Sequence, residues 1–105
     1  MSEIKEKAKK ATQKIKVTKT SSFSDTQKLL LKDDRKEGGI LTKDLISRIK
    51  SLCKVSEIKD VEKVREIGTK DKVSIYAFHH SDGNLKIIFT APSANTFELL
   101  YILKI

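Results

Sequence analysis

The sequence has little of what supports cross-linking, membrane insertion or tight turns. Its 105 residues include one cysteine, one proline, four glycines and no tryptophan. Because Cys53 is alone, no internal disulfide can form, and a single thiol is typical of a reducing compartment. No run of about 18 apolar residues is present, so the sequence predicts no membrane-spanning helix. These absences favour a cytoplasmic protein without a membrane partner.

Signatures of catalysis and cofactor binding are missing as well. Gly38-Gly39 lacks the Lys-Ser/Thr pair that would complete a phosphate-binding loop. His79 and His80 are neighbours on a predicted strand, where adjacent side chains point to opposite faces, so they do not form a metal site. No nucleophile stands within a catalytic signature. We therefore predict no enzyme activity, no cofactor, no metal ion and no small-molecule substrate.

Positive charge is what the sequence has in excess. The chain carries a net charge of +8, and residues 1–22 contribute five of these charges through seven Lys against two Glu. A segment so charged cannot bury enough apolar surface to offset the entropy of ordering it. We therefore expect a disordered or extended basic arm at the N-terminus, which binds the phosphates of a nucleic acid.

Helical periodicity follows the arm. A capping-box pattern and the Gly38-Gly39 stop predict a helix at about 25–36. Thr42 then caps a second helix at about 43–52, in which apolar residues recur at helical spacing. The apolar residues between 56 and 68 step by three and predict a third helix.

The remainder of the chain changes to the period of a strand. Alternation predicts a strand at 73–78 and a return strand at 85–89. Ser81-Asp82-Gly83-Asn84 predicts the hairpin turn between them, because Asp-Gly tolerates the positive φ of a type I′ turn. Pro92 is expected to break the second strand, and residues 93–105 are apolar and fit either a helix or a strand.

The predicted order of helices and strands is that of an α+β winged helix, which is a helix-turn-helix with a β-hairpin wing. We therefore expect a basic arm over residues 1–22 and a winged-helix domain over residues 23–105. Within that domain, 93–105 is an apolar C-terminal element of uncertain structure. The polar face of the predicted third helix has four acidic and three basic residues. Such a mixed surface is poorly suited to sequence-specific contacts with DNA.

Several of these stretches resemble a known family. Phe23-Ser-Asp-Thr-Gln-Lys-Leu-Leu-Leu-Lys32, followed by Ile40-Leu41-Thr42, resembles protein twenty-five of the eukaryotic and archaeal small ribosomal subunit. Leu45-Ile-Ser-Arg-Ile-Lys50 is similar to the next helix of that family. His80-Ser81 and Ile88-Phe89-Thr90 are similar to its closing wing.

The resemblance spans about residues 5–90 and implies a non-enzymatic, structural constituent of the small ribosomal subunit. Such a protein would bind ribosomal RNA and neighbouring ribosomal proteins in the cytoplasm, after passing through the nucleus if the organism is eukaryotic. Within the domain, the second helix is the best candidate for binding RNA, because Asp44 is the single acidic residue among its basic ones. The candidate RNA-binding residues are Lys5, Lys7, Lys9, Lys10, Lys14, Lys16, Lys19, Lys43, Arg48, Lys50, His80 and Lys86.

Other functions remain open at this point. A winged-helix DNA-binding transcription regulator would use the apolar tail at 97–105 as a dimer interface. The hairpin at 80–85 is similar to one in the smaller Alu-domain protein of the signal recognition particle, which would again be an RNA-binding protein. An adaptor that binds only proteins has no positive feature beyond the fold.

Overall fold

The computed structural model describes residues 15–79 and 84–104. This part of the chain is α+β, which confirms the predicted fold class: two α-helices and a short 3-10 helix accompany a five-stranded sheet. The elements are β1 Lys16–Lys19, α1 Ser21–Leu29, α2 Lys32–Lys50, the 3-10 helix Val55–Asp60, β2 Val64–Lys70, β3 Val73–His79, β4 Leu85–Ser93 and β5 Thr96–Lys104.

The sheet is mixed, with the strand order β1-β5-β4-β3-β2. β1 runs parallel to β5, and the other neighbouring strands are antiparallel. The link from β2 to β3 is a two-residue turn in which Asp71 and Lys72 have φ values of 53° and 69°. Two successive positive φ values are the signature of a type I′ hairpin turn, whose twist matches that of the strands.

The two helices have other bounds than the sequence predicted. Thr20 caps α1, because its hydroxyl accepts a hydrogen bond from the Phe23 N–H at 3.0 Å. α2 continues through the glycine pair that was expected to stop a helix. At Gly38 a Cβ atom would lie only 2.9 Å from Ile102 Cδ1, so the missing side chain lets the helix pack closely on the sheet. Thr42 is therefore not a cap but lies inside α2, donating to the Gly38 carbonyl at 2.7 Å.

The predicted third helix at 56–68 is wrong. Only Val55–Asp60 is helical, as a 3-10 helix, and the chain then enters β2. The step of three in the apolar residues suits a 3-10 turn, in which Ile58 is buried, whereas Ile67 further on is 51% exposed. Pairing with β3 satisfies the backbone groups on one side of β2, which is an edge strand of the sheet. Without a third helix, the described residues do not form a winged helix.

The predicted hairpin strands are confirmed, since β3 and β4 pair antiparallel. Their turn residues 81–83 lie outside the described residues. Pro92 does not end β4 but lies in it, beside a register shift where the strand needs no amide donor. The ambiguous tail becomes β5, which lies between β1 and β4.

The N-terminal segment is only partly described. Residues 15–22 belong to the folded unit, because Ile15 is buried and β1 pairs with β5. The rest of the predicted arm, residues 1–14, lies outside the described residues. The division into an arm and a domain therefore stays a prediction.

Both α-helices cover one face of the sheet, and the core lies between the two layers. The rings of Tyr76, Phe89 and Phe97 form a row in it, with centroids 5.5 and 5.8 Å apart. The core residues are Ile15, Phe23, Leu41, Leu45, Ile49, Ile58, Tyr76, Phe78, Leu85, Ile87, Phe89, Phe97, Leu99 and Ile102. Within residues 15–79 and 84–104, neither α-helix is long and apolar enough to cross a membrane.

Candidate protein-binding face

The face of the sheet that points away from the helices is not covered by any described element. We call it the open face. Successive side chains of a strand alternate between faces, so the neighbours of the core residues point here. The register confirms this, since Ile75 pairs with Thr90 and Ala77 pairs with Ile88. The open face of the three central strands comprises Val73, Ile75, Ala77, His79, Lys86, Ile88, Thr90, Glu98, Leu100, Tyr101 and Leu103, of which Ala77 and Ile88 are buried.

A bulge in β5 enlarges the apolar part of the open face. Leu99 and Ile102 are both buried in the core although they are three residues apart. The register shifts between them, because Phe89 pairs with Leu99 whereas Ile88 pairs with Tyr101. Leu100 and Tyr101 therefore both stand on the open face, where strict alternation would have placed only one.

Hydrogen bonds from α1 hold this bulge in place. The Ile102 N–H, displaced from the strand ladder, donates to the Thr26 hydroxyl at 3.0 Å. The Thr20 hydroxyl lies 3.1 Å from the Leu99 carbonyl, to which it donates. Because both threonines are in or next to α1, the helical layer fixes the position of Tyr101 on the opposite side of the sheet.

The open face contains a groove of about 410 Å³. The apolar floor of the groove is formed by strand residues. Tyr101, one of its lining residues, has 43% of its surface exposed. The lining residues are Lys70, Asp71, Val73, Ile75, Ile88, Thr90, Pro92, Glu98, Leu100 and Tyr101. A groove with a mostly apolar lining and a few polar groups is what binding sites usually present.

Positive charge borders the apolar floor. Arg65 and Lys70 reach the open face from β2, because their register partners Ala77 and Val73 lie on it. Lys86 joins them from β4, as the register partner of His79. The lining of the groove itself contains Lys70 with the acids Asp71 and Glu98, so the positive charge of Arg65 and Lys86 lies around the groove and not in it.

The predicted RNA-binding residues do not lie on one surface. Lys43, Arg48 and Lys50 are on α2, on the covered side of the sheet, whereas Lys86 is on the open face. Lys16 and Lys19 lie on β1 at the sheet edge. The others are outside the described residues, namely Lys5, Lys7, Lys9, Lys10, Lys14 and His80.

The apolar residues of the open face were not among the predicted site residues. A signal for them was present, because Val73 and Ile75 alternate with Tyr76 and Phe78 in a strand that is apolar on both sides. A strand of this kind has two faces to cover, and one layer of helices covers only one.

Comparisons with known proteins find a similar fold among solved structures but no match in sequence. No protein-family model and no curated protein matches the chain. Among solved structures, a chain of the archaeal RelE-RelB complex from Pyrococcus horikoshii OT3 shares the fold with a TM-score of 0.57 and 9% sequence identity. The alignment covers 87% of this chain and 94% of that chain. At this identity the similarity shows the fold alone.

The similarity corrects the ribosomal interpretation. The resemblance to protein twenty-five of the small subunit is wrong, because the fold matches a chain of the RelE-RelB complex over most of both lengths. The stretch 45–50, interpreted as a helix of that family, is the end of α2, and a strand replaces the third helix. A structural role in the ribosome, with ribosomal RNA and ribosomal proteins as partners, is therefore abandoned. The DNA-binding regulator loses its basis too, because the described residues contain no winged helix.

Proposed function

We propose that the chain is the toxin-type subunit of a two-protein toxin–antitoxin pair. The observation that carries this proposal is the fold, shared over 87% of the chain with a chain of the RelE-RelB complex, which is a pair of this kind. A toxin must act when released from its partner and therefore has to fold alone. The fully buried Phe23, Leu45 and Phe89 give this chain a core of its own.

The open face is the surface on which the second protein would bind. Its groove is apolar, and exposed apolar surfaces of this kind mark interaction sites. The border formed by Arg65, Lys70 and Lys86 favours a partner segment whose apolar side chains are flanked by Asp and Glu. The chain's net charge of +8 favours the same acidic partner.

Inducible expression of the chain in bacteria tests the toxin assignment. We expect growth to stop after induction, and to recover when the neighbouring gene of its own genome is expressed with it. Leu45→Asp, which places a charge in the core, is the control and should not arrest growth. Normal growth of cells that accumulate soluble, folded chain would contradict the assignment.

A pair of matched variants tests the open face. Tyr101→Arg adds bulk and charge to the groove, whereas Leu31→Arg makes the same kind of change at the turn between the helices, where Leu31 is 70% exposed. We expect co-expressed partner to elute with the unmodified chain and with the Leu31 variant, but not with the Tyr101 variant, in size-exclusion chromatography with light scattering. Equal retention of the partner by both variants would place its binding site elsewhere.

Three predictions from the sequence remain proposals. They are that the chain is not an enzyme, that it acts in the cytoplasm, and that its basic side chains bind phosphates. The prediction that the chain is not an enzyme is tested by incubating the purified chain with RNA and with nucleotides. Repeated conversion of either one to product by each protein molecule would contradict it.

A further inference from the structure

A second pocket lies where α2 meets the ends of β2 and β3, and its lining is different in character from the open face. It has a volume of about 270 Å³, and its charged and titratable lining residues come from separate parts of the chain. The lining residues are Ile40, Leu41, Asp44, Arg48, Lys63, Phe78 and His79. Of these residues only His79 also belongs to the open face, and the proposed function assigns it no role.

The Arg48 guanidinium is held in place on the wall of this pocket. Its central carbon lies 5.9 Å from the centroid of the Phe78 ring, which is within the range of a cation–π contact. Its Nε also donates to Asp44 Oδ1 at 3.2 Å. Because the bond to Asp44 uses Nε, the other N–H donors of Arg48 are left for a ligand.

Lys63 is kept in a conformation that its side chain disfavours. It is the third residue of a turn closed by the Val64 N–H and the Val61 carbonyl at 3.2 Å, and its φ is 70°. That position favours glycine. Its carbonyl also accepts the His79 N–H at 3.2 Å, which brings the turn against the end of β3. A strained residue whose side chain lines a pocket points to a function for that side chain.

We propose that this pocket binds the phosphate group of a small organic phosphate monoester. Arg48 supplies a planar set of donors that matches phosphate oxygens, and Lys63 supplies a compact positive charge. Among the apolar lining residues Ile40 is 56% exposed and offers a surface to the organic part, whereas Leu41 and Phe78 are almost fully buried. The Asp44 carboxylate also lines the pocket and opposes an anion, so it limits the affinity.

Isothermal titration calorimetry and amide NMR shifts of the full chain test the proposal, with phenyl phosphate as the probe. We expect saturable binding with a dissociation constant on the order of 1 mM, centred on the amides of Lys63 and His79. Inorganic phosphate should bind more weakly, because it leaves the apolar surface empty. Phenol, which lacks the phosphate, should not bind.

Variants with opposite expected effects distinguish binding in the pocket from non-specific attraction of the phosphate to the positively charged protein. Arg48→Gln should weaken binding by about tenfold. Asp44→Asn should strengthen it by about threefold, because it removes the opposing charge. Lys50→Gln is the matched control, since it removes one exposed charge from the same helix outside the pocket, and should change binding by less than about twofold.

Lys63→Gly separates binding from folding. It should raise the melting temperature, because glycine relieves the strain at positive φ, and at the same time weaken phenyl phosphate binding severalfold. No saturable shift with phenyl phosphate up to about 20 mM would overturn the proposal. Equal binding of phenol, or equal weakening by Arg48→Gln and Lys50→Gln, would overturn it as well.

Discussion

The two faces of the sheet share aliphatic and aromatic side chains but have opposite surroundings. On the covered face, Phe89 and Phe97 have no exposed surface, whereas on the open face Tyr101 keeps 43% of its surface in contact with solvent. The open face also has charged side chains at its border, among them Arg65, Lys70 and Lys86. The difference in exposure arises because α1 and α2 pack on one face only. The covered face stabilises the fold, and the open face retains the apolar surface with which the chain can bind a partner.

Truncating one aromatic residue on each face tests this comparison most directly. Phe89→Ala should lower the free energy of unfolding by about 3–5 kcal/mol, because it leaves a cavity in the core. Tyr101→Ala should lower it by less than about 1 kcal/mol, because 43% of the side chain's surface already faces solvent and its removal leaves no enclosed cavity. Urea denaturation measures both. Similar losses from the two variants would mean that the open face contributes to the core.

The adjacent glycines of α2 test how closely the helix packs on the covered face. Gly38→Ala should leave the chain about 1–2 kcal/mol less stable than Gly39→Ala, since the new Cβ would lie 2.9 Å from Ile102 Cδ1 and 3.0 Å from Leu30 Cδ1 and these two side-chain ends must shift. Gly39→Ala meets no atom within 4 Å and should stabilise it by about 0.5–1 kcal/mol through helix propensity. Thermal unfolding measures the pair. A gain in stability for both variants would show that the helix can move away from β5.

Thr26 connects the two faces, because its hydroxyl accepts the Ile102 N–H at the bulge that exposes Tyr101. Thr26→Val keeps the shape of the side chain but leaves that N–H without its partner. We expect a loss of about 1–2 kcal/mol in stability and faster hydrogen exchange of the Ile102 amide. Unchanged exchange at this amide would argue that the bulge holds without the helix.

Glu57 lies in the 3-10 helix, on neither face of the sheet, and its substitution should have the smallest effect on stability. Its Oε1 accepts the Lys54 N–H at 3.0 Å and the Cys53 N–H at 2.7 Å, and these bonds lower the pKa of the carboxyl below its ordinary value of 4.5. A lowered folded pKa adds stability that is present above pH 4.5 and is lost as the pH falls through the folded pKa. Glu57→Gln should therefore melt at a lower temperature than the unmodified chain at neutral pH, and this difference should shrink below pH 4.5. A difference that is constant with pH would contradict this account.

Local pattern sufficed for part of the fold. The alternation of side chains between two faces over 73–78 and 85–89 predicts β3 and β4. This alternation is a local property of a pleated strand and does not depend on distant residues. The helix bounds did not follow in the same way. Gly38-Gly39 is a stop signal in isolation, and only the approach of Ile102 in β5 makes Gly38 a contact inside a longer helix.

The candidate sites were harder to predict than the fold. The sequence directed attention to exposed Lys residues, and the structure distributes the described ones over both sides of the sheet. The groove of the open face depends on the bulge that puts Leu100 beside Tyr101, and the bulge depends on hydrogen bonds from α1. The pocket proposed to bind phosphate brings Arg48 together with Lys63 and His79, which are 15 and 31 positions further along the chain.

The sequence by itself determined the α+β class, the two hairpin strands and the excess of positive charge. Each of these follows from composition or from periodicity over a few neighbouring residues. Only the tertiary structure decided that 64–70 is a strand, that α2 continues through its glycines, and that one face of the sheet stays open. These outcomes depend on hydrogen bonds and packing between residues far apart in sequence, which outweigh the weaker local preferences of the chain.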